Sequence, residues 1–204
     1  MKKFTIYAVV SAAALAMLAA CGGGGGGGES TPAVSTVANA FAAEAGVYKT
    51  ICNIRSIYQG PNVPRKIESD IAILTITAPS GSDKATVSAQ GLTYSGSDCV
   101  TASAKIEDFT IFGTAVQLAG SKVITGVSGA KPGTDKSGTV KLGEVTYSGI
   151  TLSLGSFGNV TLPVPGTKAK FGYLIEGSKV YVLSGSPAAD GLPTSFSSTV
   201  LIKQ

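Results

Sequence analysis

Residues 66–96 read KIESDIAILTITAPSGSDKATVSAQGLTYSG, and this stretch decides the fold. From 66 to 78 the chain is rich in β-branched residues. Ile71, Ile73, Leu74 and Ile76 occupy both parities, the pattern of a strand covered on its two faces. Ser80-Gly81-Ser82-Asp83 then supplies turn chemistry, because Gly tolerates positive φ and Asp and Ser hydrogen-bond their own backbone. A second β-rich run occupies 84–94. A link this short cannot make a crossover, so the two runs pair as an antiparallel hairpin.

The same alternation of runs and turns continues on both sides. Upstream lies the run 47–58, with Tyr48, Cys52, Ile54 and Tyr58 on one parity. Downstream lie 100–112, 115–118, 122–127, 138–147, 150–154, 169–175, 180–183 and 199–202. The connectors Ser95-Gly96-Ser97-Asp98, Gly120-Ser121, Gly133-Thr134-Asp135 and Gly177-Ser178 are short and built from turn formers. Between Val140/Leu142 and Val145/Tyr147 the apolar parity switches, which predicts a bulge at Gly143. Residues 38–45, with Phe41 and Glu44, are expected to form one or two helical turns where the chain enters the domain. Eight to eleven hairpin-linked strands must hide their edges. The expectation is an all-β fold, an antiparallel up-and-down β-barrel of about eight strands, with a β-sandwich as the alternative.

A length of 204 residues accommodates one such domain and a tail. With 44% hydrophobic and 14% charged residues, the chain is too apolar to stay unfolded. The absence of histidine removes Ser-His-Asp and Cys-His catalysis, imidazole metal sites and histidine pH switches together. Glu68 and Asp70 share a strand face, an arrangement that carboxylate catalysis or a cation would use, but the start of a strand is the simpler setting. Asp83, Asp98, Asp135 and Asp190 all stand in turns. Gly155-Ser156-Phe157-Gly158 lacks the leading glycine of a nucleophile elbow, since Leu154 stands there. Tyr48, Tyr94, Tyr147 and Tyr173 suit core or rim packing better than a stacking platform. No catalytic residue, cofactor-binding residue or metal ligand is expected, and the chain reads as no enzyme.

Ahead of the domain, Lys2 and Lys3 precede an apolar run, Phe4 to Ala20, broken only by Thr5 and Ser11. This is the pattern of a secretory signal, at the lower limit of length for a membrane span. Leu18-Ala19-Ala20-Cys21 resembles the lipobox of bacterial lipoproteins. The resemblance implies cleavage before Cys21, a diacylglyceryl thioether on its thiol and an acyl chain such as palmitate on its new amine. More than one acyl chain gives stable anchorage. Gly22, where an inner-membrane lipoprotein of this kind carries Asp, implies the outer membrane, facing either the periplasm or the exterior. Removal of residues 1–20 takes Lys2 and Lys3 but no acid, which leaves fourteen basic against twelve acidic residues, a net +2. That balance, with no basic cluster beyond Arg65-Lys66, points away from nucleic acid. The organisation expected is a signal over 1–20, a lipidated Cys and Gly-rich disordered tether over 21–44, and a β domain over 45–204. Such a tether has a root-mean-square reach of about 25 Å.

Three cysteines are an odd number for an exported chain. With Cys21 lipidated, Cys52 and Cys99 remain as one structural disulfide in an oxidising compartment.

Gly46-Val47-Tyr48 followed by Cys52, Cys99 after its Gly/Ser turn, and Gly177-Ser178-Lys179-Val180-Tyr181 before Asp190-Gly191-Leu192-Pro193-Thr194 together resemble the small lipocalin-like domains of bacterial lipoproteins. The likeness covers residues 46–204 and implies the barrel fold. The function expected is therefore a non-enzymatic binding or envelope-associated module on the outer membrane, with a monomeric domain. Its partners would be the membrane, through the lipid, and an envelope protein. The alternative is a lipocalin-like carrier of a small apolar ligand.

Overall fold

The computed structural model describes residues 39–99, 105–127, 136–154 and 163–204. Lipidation at Cys21, the signal, the tether up to Ala38, the Gly133-Thr134-Asp135 turn and the 155–158 glycines lie outside them. The described residues form nine strands: β1 (Gly46–Thr50), β2 (Asn53–Ile57), β3 (Lys66–Thr77), β4 (Ala85–Ser95), β5 (Lys105–Thr125), β6 (Ser137–Leu154), β7 (Lys168–Glu176), β8 (Lys179–Pro187) and β9 (Pro193–Lys203).

All nine belong to one antiparallel sheet, ordered β1-β9-β8-β7-β6-β5-β4-β3-β2, and β1 also pairs with β3. Eight strands therefore close a ring, which matches the barrel-like, all-β fold expected from the sequence. β2 stands outside the ring, paired with β3. β1 and β2 are two halves of one expected run, laid end to end along β3. Between Lys49, opposite Ile73, and Asn53, opposite Asp70, four steps on one strand match three on the other. This one-residue excess reverses the parity. Tyr48 faces inward with Leu74, whereas Ile54 faces outward, so the single apolar face expected for 47–58 is split between two sides.

β5 and β6 also depart from expectation, each being one long strand where shorter runs were read. Gly120-Ser121 is not a hairpin turn. Ala119 and Gly120 are bulged out of β5 between the pairs Leu118/Leu142 and Ser121/Lys141, with Gly120 at φ +88°, where a side chain would be strained. Gly143 is not a bulge either, since it pairs in regular register with Gln117 and Phe171. The parity switch around it has another cause: two cores lie on opposite faces of β6. Val145 packs inside the ring with Tyr48, Leu74, Val87, Ala115, Phe171 and Val182. Val140 and Leu142 instead meet Ile124, Leu183 and Phe196 on the outside. Past its bulge β5 reaches over the sheet, where Val127 bridges to Phe196 and Phe196 N–H donates to the Gly126 carbonyl. Gly172 makes the two layers possible, because a Cβ there would stand 2.7 Å from Leu183 Cδ1 and 3.0 Å from Val140 Cγ2.

One end of the ring is plugged from within. Asn39 to Ala45 form consecutive turns, Ala42 N to Asn39 O, then Glu44 N and Ala45 N to Phe41 O, in place of a regular helix. Asn39 Nδ2 donates to the carbonyls of Pro79 and Lys84. Phe41, wholly buried, fills the interior beside Tyr48 and Tyr173. At the opposite end of β3, Cys52 and Cys99 form a disulfide with a Cα separation of 5.8 Å, which ties the β1/β2 junction to the segment after β4.

Candidate functional site: the outer face of β1 to β3

β3 carries apolar residues on both faces, as its sequence indicates, yet the described residues cover only one of them. Leu74 and Ile76 are buried in the ring interior. On the other face the register brings Val47 and Lys49 of β1, Ile54 of β2, and Ile67, Ile71 and Ile73 of β3 to the same side. Ile54 is 57% exposed, Ile51 beside it 71%, and Val47 and Ile67 are also exposed. Ile71 and Ile73 are half-buried. Tyr58 and Val63, in the hairpin between β2 and β3, extend the same apolar character beyond the strands. Near Ser69 another segment reaches β3: Ser69 Oγ donates to the Asp98 carbonyl at 2.5 Å, and Cys99 Sγ lies 3.4 Å from the Asp70 carbonyl. Contiguous exposed apolar surface of this kind marks an interaction site more often than scattered single residues do.

The charges sort cleanly across the same strands. Glu68 and Asp70 do share a face, as the sequence indicates, but it is the inward one. There Arg55 bridges them, Nη2 at 3.2 Å from Glu68 and Nε at 3.4 Å from Asp70, while Lys66 holds the other Glu68 oxygen at 2.8 Å. Thr93 Oγ1 donates to Glu107 alongside at 2.9 Å. Glu68 is buried, and its two oxygens are each met by a cation in this cluster. Among the described residues no three His, Cys, Asp or Glu side chains group as metal ligands.

The remaining candidates are also engaged in the fold. Tyr48 OH donates to the Glu44 carbonyl at 2.7 Å, and Tyr173 OH lies 3.3 Å from Glu44 Oε1, which Lys141 Nζ reaches at 2.6 Å. Burial, with the Glu44 carboxylate adding to it, raises the phenols of Tyr48 and Tyr173 above their usual range. Burial alone raises Tyr147. Tyr94 is buried as well. Asp190 accepts from Lys122 Nζ and from the backbone of Leu192, which hold it below the usual carboxylate range, so it caps its own turn. Asp108 is partly desolvated, which pushes its carboxyl up, but hydrogen bonds from Lys105 and Gln90 and the lysine charge prevail and lower it.

The sequence marked β3 as two-faced but not the side left open. Ile54 was expected on one face with Tyr48, and its exposure follows from the one-residue excess between β1 and β2. The only legible signal was the double parity of Ile71, Ile73, Leu74 and Ile76. Comparison with protein-family models, curated proteins and solved structures finds no match for the chain.

Proposed function

We propose that the protein is an exported, lipid-anchored, non-enzymatic binding module of the bacterial outer membrane, held by a diacylated Cys21 and acting through surface contacts. The observation that carries the binding role is the open apolar face of β1 to β3. Export is supported by the Cys52–Cys99 bond, since such bonds persist in oxidising compartments. It is further supported by the apolar leader and the Leu18-Ala19-Ala20-Cys21 box. The carrier alternative needs interior space in the ring, and there Phe41, Tyr48, Phe171 and Tyr173 pack against one another. A filled interior favours recognition on the outside.

Metabolic labelling with a palmitate analogue tests the anchor. The expected result is label on a mature chain that begins at Cys21, lost on Cys21→Ala. An unlabelled chain that keeps residues 1–20 would overturn the reading.

A further inference from the structure

We propose that the outer face of β1 to β3 is a membrane-docking face, against which the bilayer that carries the lipid anchor is the partner. The proposal rests on the anchored reading for its geometry and on four features of the face for its chemistry. The first is composition. Val47, Ile54 and Ile67 offer exposed apolar side chains on the face, and Ile51, Tyr58 and Val63, exposed in the segments that flank β2, add apolar surface and one amphipathic ring next to it, the set that partitions into the boundary between headgroups and acyl chains. The second is charge. On this face β1 to β3 present Lys49 and no acid, because Glu68 and Asp70 point inward and are ion-paired to Arg55. Arg65 stands exposed just before β3. Asp98, an exposed acid after β4, stands at the rim of the face near Ser69, which donates to its backbone carbonyl. A face of this sign complements anionic headgroups.

The third feature is where the chain enters. The plug ends at Ala45, and Val47, the first residue of the face, follows two positions later, so the face begins where the tether joins the domain. Asn39 lies eighteen residues after Cys21. A coil of that length reaches about 25 Å, which lets the ring lie on its side against the bilayer. The fourth is the backbone of β2, which among the described residues pairs with β3 alone. An open strand edge flanked by bulky apolar side chains is a liability in free solution, and shallow insertion of those side chains shields it. One lipid anchor and one docking face together would fix the orientation of the domain.

The test uses residues 22–204, exported behind an unrelated cleavable leader and therefore without lipid. Failure at Cys21 and failure of the face are thereby read separately. Vesicles of phosphatidylethanolamine with a minority of phosphatidylglycerol are the probe, and co-sedimentation is the readout. The expected result is measurable binding that weakens with salt and falls about tenfold or more in the Ile54→Ser, Ile67→Ser double variant. Both side chains are already exposed, so unchanged thermal unfolding confirms that the variant folds. The chain contains no Trp, so Tyr58→Trp adds a single reporter whose emission shifts to the blue with vesicles and stays unchanged without them. Absence of vesicle binding overturns the proposal, as does binding that ignores both isoleucines. A dimer in solution that the double variant dissociates also overturns it, since a second copy would then cover the face.

Discussion

Glu44 is a buried charge: it is 2% exposed, one oxygen is met by Lys141 and Tyr173, and the other has no hydrogen-bond partner among the described residues. Its neighbours Tyr48 and Tyr173 feel that charge in addition to their own burial, and both phenols are displaced upward. The linkage is definite in sign. In the unfolded chain these phenols ionise near pH 10, whereas in the fold they stay neutral at that pH. The stability they confer is complete below about pH 10 and is lost as pH rises above it. Thermal or urea unfolding between pH 8 and 11 should show a steep alkaline limb. Tyr173→Phe, which cannot ionise, should flatten that limb by about 1 kcal/mol or more. A limb unchanged by the substitution would place Tyr173 outside the coupled group. The sequence pattern expects one or two helical turns over residues 38–45, with Phe41 and Glu44, where the chain enters the domain, but it gives no sign that they enter the ring, because Ala-rich, weakly charged sequence looks the same whether it is solvated or folded back. The bonds of Asn39 to the carbonyls of Pro79 and Lys84 help hold the segment that places Phe41 in the inner core.

Among the elements, β1 and β2 show how one residue decides a surface. A continuous strand would have sent Tyr48 and Ile54 to the same side. The extra residue between Lys49 and Asn53 sends Tyr48 to the core and Ile54 to solvent, and the junction it creates is the one closed by Cys52–Cys99. That bond links residues 47 apart. By loop-closure entropy it is worth about 4 kcal/mol. Cys52→Ala with Cys99→Ala should lower the unfolding free energy by about that amount, read from the urea midpoint. A loss below about 1 kcal/mol would mean that the segments are held by other contacts. The cysteine pairing was legible from counting once Cys21 was set aside, and the β3–β4 hairpin was legible from Ser80-Gly81-Ser82-Asp83. The long strands were not. Gly120-Ser121 has the chemistry of a hairpin turn, and the same positive φ serves equally well to bulge Ala119 and Gly120 out of a continuing strand. Around Gly143 the switch of parity is real but reports two cores on two faces, a distinction that hydrophobic pattern carries no sign of.

At the scale of the molecule, the described residues form a closed antiparallel ring with one buried core inside it, a second small core outside, and apolar side chains exposed on the outer face of β1 to β3. Closure was predictable because that many hairpin-linked strands leave edges that must be hidden. Where the ring is filled, and which face stays bare, depends on register, and register is set by bulges that differ from turns by one residue. Phe41, Tyr48, Phe171 and Tyr173 share the inner core of this ring, and the proposed binding role requires that they leave no room there for a ligand. Native mass spectrometry of residues 22–204, exported and purified gently without lipid, tests this directly. The account predicts the bare chain mass, two hydrogens light for the disulfide, whereas a stoichiometric excess of a few hundred daltons that departs on unfolding would contradict it and make the ring a carrier.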